Sequence, residues 1–356
     1  MKAVILAAGQ GTRLRPVTLT MPKPLVPVAN KRLIQYAIER AKRAGITEIG
    51  IVVHTMESPI VSTYGDGESL GVKLSYIVQT EQLGLAHACK TAKDFVAGDD
   101  FAMILGDNVF QDDMEDLLRG FSASDAESTI VLGEVPDPER FGVAVTEGDK
   151  ITYMVEKDPN PPSNLAIAGL YCFRPSIFEA IDKIQPSARG EYEITDAIYE
   201  LIKAGKKVAP YAVKGWWIDA GKPDPIVLAN QLVLEQLPWT EAPTEKDEAI
   251  EGNSTVTHRV ILGKNVKIID SYVRGPVVIG DNTVIRNAYV GPYTAIGSNT
   301  VIENAEVDNS IIMDDVTIKD VDRRLDRCLI AHKATVTGSK HSVQRLILSE
   351  YAQVEI

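Results

Sequence analysis

Directly after a short apolar run at the N-terminus comes Ala8-Gly9-Gln10-Gly11-Thr12-Arg13-Leu14-Arg15-Pro16, and the stretch continues to Pro22-Lys23-Pro24. Glycines let a backbone approach an anion closely, and successive N–H groups can form a concave nest for phosphate oxygens. Arg13 and Lys23 add charge-assisted donors, and the prolines around Lys23 hold it on a stiff backbone. The chemistry on offer is phosphate binding. Neither common phosphate motif is present. The dinucleotide fingerprint wants a third glycine where position 14 is Leu, and the P-loop ends in Gly-Lys-Ser/Thr where this chain has Gly11-Thr12-Arg13. A turn with two exposed arginines is the plain alternative. Against it, a long loop with fixed cations and little helix or strand character is costly unless it serves a ligand.

The segments that must position these groups fall into two regions of different period. Through the first two-thirds of the chain, strands expected at 4–7, 49–53, 74–78 and 101–105 alternate with helices at 32–44 and 85–96. Strands separated by helices imply βαβ units and a mostly parallel sheet. Ligands of such sheets bind beyond the carboxyl ends of the strands. Asp107, in Leu105-Gly106-Asp107-Asn108, follows one of these strands and so belongs to that crevice.

After a helical pattern at 227–237, WTEAPTEKDEAIEGN is polar and acidic and reads as a linker. The expected domains are therefore 1–238 and 253–356, joined through 239–252. Beyond the linker, Ile279-Gly280 is followed six residues on by Ile285, and Val290-Gly291, Ile296-Gly297 and Ile302 repeat the six-residue step. The spacing slips to five between Ile285 and Val290, while Gly263, Gly280 and Gly297 are separated by seventeen. Scattered Val-Gly pairs also occur in β-sandwiches, but steps kept in register predict a β-helix of hexapeptide repeats.

The chain has 356 residues, 45% of them hydrophobic and 24% charged, enough for two domains with real cores. A net charge of −12 argues against nucleic acid or an anionic membrane as the main partner, though a local cluster of Lys and Arg can still hold a small anion. No apolar stretch approaches the roughly 20 residues of a membrane span. The first apolar run stops at Gly9, with Arg13 and Arg15 following, so a buried strand is expected there rather than a signal peptide. Cys89, Cys172 and Cys328 are odd in number, far apart and in no metal-ligand spacing, as in a cytosolic protein with reduced thiols.

The string AAGQGTRLRPVTLTMPKPLVPV resembles the signature of the sugar-1-phosphate nucleotidyltransferases, and the chain is similar to the long-form glucose-1-phosphate thymidylyltransferases over nearly all its length, including SVQRLILSEYAQVEI at its end. The resemblance implies a Rossmann-like, mixed and mostly parallel α/β sheet domain followed by a left-handed parallel β-helix. It implies that Leu6, Ala8, Gly9, Gly11, Thr12 and Arg13 bind the nucleotide, with Gln79 reading the pyrimidine edge and Gly84 against the ring. An amide suits that edge because it offers both a donor and an acceptor.

Asp107 and Asp219 match the family's Mg²⁺ ligands, and that ion favours oxygen donors, often one or two carboxylates. Gly142, Glu156, Lys157, Ile167, Gly169 and Tyr171 match the sugar-phosphate site, with Glu191, Glu193 and Thr195 in a further matching stretch. Trp217 either stacks near the sugar or packs. By the same resemblance, the sugar phosphate attacks the α-phosphorus of the nucleotide in line and expels pyrophosphate, with Arg13, Lys23 and Lys157 as the catalytic cations. An anionic nucleophile needs no general base, so positioning and charge neutralisation carry the rate.

dTTP is the expected nucleotide and glucose 1-phosphate the expected sugar. UTP stays open, because thymine and uracil differ by one methyl group. Two further alternatives are an acetyl-CoA-dependent acyltransferase on the β-helix, where His258, His332 and His341 are the histidines, and a non-catalytic sugar-nucleotide sensor. Degenerate relatives would be expected to lose the loop cations or the metal aspartate, and all are present here. The β-helix is expected to serve assembly or rigidity in a cytoplasmic homo-oligomer.

Overall fold

A computed structural model describes residues 1–238, 240 and 249–338. They form two compact units. The first comprises Met1–Gln10, Pro22–Leu25 and Leu33–Asp219; the second takes Gly11–Met21, Val26–Arg32 and the described residues from Ala220 onward.

In the first unit the strands are β1 (Lys2–Leu6), β2 (Glu48–Val53), β3 (Lys73–Val78), β4 (Phe101–Leu105), β5 (Asn108–Phe110), β6 (Ser128–Glu134), β7 (Gly142–Glu147), β8 (Lys150–Glu156), β9 (Leu165–Phe173), β10 (Val208–Ala212) and β11 (Trp217–Asp219). Nine of them make one mixed sheet, in the order β8-β7-β9-β4-β1-β2-β3, with β6 added on β9 and β10 on β6. β1, β2, β3 and β4 are parallel, and β9 runs antiparallel to β4, β6 and β7.

β1 is apolar throughout because it is covered on both faces. Val4 packs with Ala86 and Cys89 of α2 (Leu85–Thr91), whereas Ile5 packs with Ile34 and Ile38 of α1 (Leu33–Arg43). The helix expected over 85–96 divides at Ala92 into two pieces, Leu85–Thr91 and Lys93–Val96. Since β2 and β4 flank β1 on opposite sides, strand order reverses at β1, and the crevice of such a sheet opens beyond the carboxyl ends at that point.

The second unit contains three parallel sheets, one of six strands and two of five, wound as a left-handed β-helix. Fully buried Ile268, Ile285, Ile302 and Ile318 stack along one side, and Val273, Val290 and Val307 along another. Ile279, Ile296 and Ile312 fill the third. The slip to five residues between Ile285 and Val290 is simply a shorter side: sides of five, six and six residues close a coil at the separation of 17 seen between hydrogen-bonded asparagines.

Corners use the left-handed region, at Asn282 (φ 57°), Asn287 (φ 44°) and Asn299 (φ 55°), where Asn is better tolerated than most residues. These corner amides form ladders. Asn265 Nδ2 donates to Asn282 Oδ1 at 3.0 Å, and Asn282 Nδ2 to Asn299 Oδ1 at 3.1 Å.

The helix α3 (Pro223–Glu235) also belongs to this unit. Buried Asn230 accepts from Ala29 N (2.8 Å) and donates to Tyr293 O (2.8 Å), and Leu234 packs against Val278 and Ala295. Contacts therefore divide the chain after Asp219, ahead of the sequence boundary at 238. Ile250–Glu251 is already a β-helix strand, paired with Ile268 and Ile269. Most of the expected linker, together with His341 and the SVQRLILSEYAQVEI segment, lies outside the described residues.

Candidate active site

The ends of β1 and β4 are held side by side. Leu6 pairs with Leu105, and the Gly106 N–H donates to Leu6 O at 3.0 Å. A Cβ at Gly106 would also meet that carbonyl at 3.0 Å, so a side chain there would strain the approach. The chain then turns into β5, leaving Asp107 at the mouth of the crevice. β11 pairs antiparallel with β5 and sets Asp219 opposite Asn108, which brings the two aspartates together from distant parts of the sequence.

Between them lies the buried ammonium of Lys23, hydrogen-bonded to Asp107 Oδ2 and 3.9 Å from Asp219 Oδ1. Asn108 Nδ2 donates to Asp107 Oδ1 at 2.8 Å. Burial alone would raise the Asp107 carboxyl, but the charge and hydrogen bond of Lys23 and the bond from Asn108 hold it below the ordinary carboxylate range. Two oxygen-donor carboxylates converging on one cation fit a hard divalent ion that completes its shell with substrate oxygens and water. Among the described residues, no group of three or more His, Cys, Asp and Glu forms a richer metal cage.

One side of the crevice is a cleft of ≈280 Å³ lined by Leu6, Ala8, Gly9, Gln79, Gly84 and Asp107, together with Gln82 and Glu191. Gln82 Nε2 donates to Ala8 O at 2.6 Å and ties the first loop to the α2 entry. Gly84 has φ +104°, and a Cβ there would lie 2.6 Å from Tyr192 O, so the turn requires glycine.

A second group of residues gathers around Glu156. A Cβ on Gly142 would come within 2.6 Å of Glu156 Oε2, 2.8 Å of Thr195 Cγ2 and 3.0 Å of Ile167 Cδ1. Lys157, at φ +46°, lies 3.4 Å from Glu156 Oε1. Left-handed backbone in a non-glycine residue is uncommon and clusters at functional sites. Arg189 reaches Glu191 (2.8 Å), Glu193 (3.4 Å) and Glu156 (3.7 Å).

Gly169, at φ +70°, passes against Leu105 and Asn108, leaving room for the β5 turn. Buried Tyr171 has its hydroxyl pushed up by burial first, then by Glu156, Cys89 and Asp107, so it stays protonated as a potential donor. Trp217 has a polar tether, its Nε1 donating to Asn108 Oδ1 at 2.5 Å, while its ring meets Phe141 edge-on and Phe110 in a stack.

Gly11, Thr12 and Arg13 lie in the segment that groups with the second unit. Locally, Gly11 takes φ +63°, Thr12–Leu14 form one 3-10 turn, and the Thr18 hydroxyl donates to Gly11 O at 2.8 Å. Sequence reasoning gave no role to Asn108, Gln82 or Arg189. The first two act through contacts between distant segments. Arg189 lies inside RGEYEITDA, but nothing in its type or spacing separates it from a solvated surface arginine.

Taken together, the switch-point crevice, the paired aspartates and the appended β-helix define a nucleotide-handling α/β transferase. Residues 2–236 match the nucleotidyl transferase family, and the chain belongs to it as a sugar-1-phosphate nucleotidyltransferase. It is 41% identical over 359 residues to a glucose-1-phosphate thymidylyltransferase of Streptomyces griseus, covering 100% of this chain and 99% of the relative. It is 47% identical over 267 residues to the low-salt glycan biosynthesis nucleotidyltransferase Agl11 of Haloferax volcanii, covering 74% and 73% of the two. A crystal structure of a UDP-glucose pyrophosphorylase complexed with UDP-glucose superposes with a TM-score of 0.60 at 29% identity, covering 66% of this chain and 98% of that one.

Proposed function

We propose that the enzyme transfers the thymidylyl group of dTTP to glucose 1-phosphate, giving dTDP-glucose and pyrophosphate. The observation that carries this reading is the convergence of Asp107 and Asp219 on one cation beside a cleft bearing Gln79 and Gly84. Asp107 and Asp219 would hold Mg²⁺, which when bound neutralises charge on the nucleotide phosphates. Leu6, Ala8, Gly9, Gly11 and Thr12 bind the nucleotide, and Gln79 takes the base edge. Glu156 accepts from sugar hydroxyls, with Gly142 and Ile167 shaping that pocket and Gly169 and Tyr171 lining the sugar phosphate.

The phosphate oxygen attacks in line, and its existing negative charge makes a general base unnecessary. Arg13 stabilises the departing pyrophosphate, while Lys23 and Lys157 orient the phosphates. For Lys23 this means exchanging its carboxylate partners for phosphate oxygens as substrate and metal enter. UTP is the second reading, favoured by the likeness to the UDP-glucose complex and by an amide that suits either pyrimidine. The β-helix we assign to assembly of a homo-oligomer.

The test is pyrophosphate release with Mg²⁺, glucose 1-phosphate and each of dTTP, UTP, CTP, ATP and GTP. Preference for dTTP is expected. Preference for UTP moves the base assignment and keeps the chemistry, whereas silence with every nucleotide and with galactose, mannose and glucosamine 1-phosphates overturns the proposal.

A further inference from the structure

Gln79 is fixed through both its backbone and its side chain. Its backbone N–H donates to Val53 O (2.8 Å), and its carbonyl lies 3.3 Å from His54 Nδ1. Its buried side chain places Nε2 3.4 Å from Gly84 O and 3.0 Å from His87 Nδ1. A carbonyl can only accept, so the amide end facing Gly84 is the NH₂. The imidazole nitrogen meeting the second N–H must then offer a lone pair, which puts the His87 proton on Nε2. His54, facing a carbonyl, carries its proton on Nδ1 instead. With both amide hydrogens engaged, Oε1 is the remaining hydrogen-bonding atom of Gln79, and Gln79 lines the cleft.

We infer that His87 is a positioning residue that determines base specificity. By accepting from Gln79 Nε2, it commits the amide to present an acceptor to the base. An acceptor suits the N3–H of thymine or uracil and opposes the N3 lone pair of cytosine. The discrimination thus comes from a repulsive element as well as an attractive one. This rests on the reading that the cleft takes a pyrimidine nucleotide.

The experiment measures kcat and KM for dTTP, UTP and CTP on the full chain, for the wild type, His87→Leu and His87→Asn. Leucine removes the acceptor, leaves the amide free to turn over, and should lower the ratio of kcat/KM for dTTP over CTP about tenfold, the worth of one well-placed hydrogen bond. The loss should fall on KM for dTTP and UTP more than on kcat. Asparagine, whose Oδ1 can accept, should restore most of the ratio. A general structural defect would instead depress all three nucleotides alike. An unchanged ratio in folded His87→Leu overturns the role of His87 and leaves the base reading standing. A wild type without preference for dTTP or UTP over CTP overturns the base reading itself, and the inference with it.

Discussion

The two units solve opposite problems. In the sheet unit, Asp107, Asp219 and Lys23 each occur once, at strand ends or in loops, and they meet only because particular strands pair. In the β-helix, Ile268, Ile285, Ile302 and Ile318 repeat one solution, each stacked on its neighbours. The lesson is that uniqueness concentrates function and repetition spreads stability. A change at the paired aspartates and Lys23 should therefore cost chemistry more than stability, and a change inside the β-helix coils the reverse.

The sharpest way to break that contrast is Asp107→Ala. It removes one of two converging carboxylates and leaves the Lys23 ammonium with Asp219 alone. We expect kcat/KM for pyrophosphate formation to fall about 10²–10³-fold, comparable to removing one preorganised charge-stabilising group. Circular dichroism should show a folded protein. Retained activity would separate the acidic pair from the chemistry.

The counterpart in the β-helix is Ile285→Ala, at a fully buried position between Ile268 and Ile302. Denaturant unfolding should register about 2–5 kcal/mol of lost stability, the usual cost of a core cavity. Turnover of the protein that remains folded should be unaltered. A drop in kcat there would mean that the repeat region contributes to the chemistry.

How far each unit is legible from sequence follows from the same contrast. The β-helix declares itself because its period is local: Gly263, Gly280 and Gly297 announce the coil length without knowledge of any contact. β1 and β4 are legible as apolar runs, and the position of Asp107 follows from the end of β4. Asp219 is different, because its place depends on pairing with Asn108 across most of the sheet unit, and only family resemblance singled it out. The Lys23–Asp107 pair was hidden for the same reason, and so was the tether from Trp217 to Asn108. The antiparallel course of β9 left no mark either, since strands buried on both faces look alike in either direction.

A smaller effect, confined to one substrate, is expected of Gly142→Ala. The added Cβ would stand 2.6 Å from Glu156 Oε2 and 2.8 Å from Thr195 Cγ2, so the sugar pocket must shift. KM for glucose 1-phosphate should rise about tenfold, with KM for the nucleotide little changed, as expected for lost sugar binding worth about 1.4 kcal/mol. A rise in both constants would show that the two halves of the crevice are coupled more tightly than their separate contacts suggest.

The smallest effect tests what a ladder contributes within the repeat. Asn282 sits at an exposed corner with φ 57°, accepts from Asn265 and donates to Asn299. Asn282→Ala loses both bonds and also forces an alanine into the left-handed region, which alone costs about 1–2 kcal/mol. Asn282→Gly loses the same bonds without that strain. If backbone conformation dominates, glycine should be nearly neutral and alanine destabilising by about 1–2 kcal/mol in denaturant unfolding. If the amide ladder dominates, both should lose stability to a similar extent. Solvent competes for exposed side-chain hydrogen bonds, so their net worth is modest, and the backbone term should win. The corner asparagines would then be selected for the turn they permit, with the ladder following from their stacking.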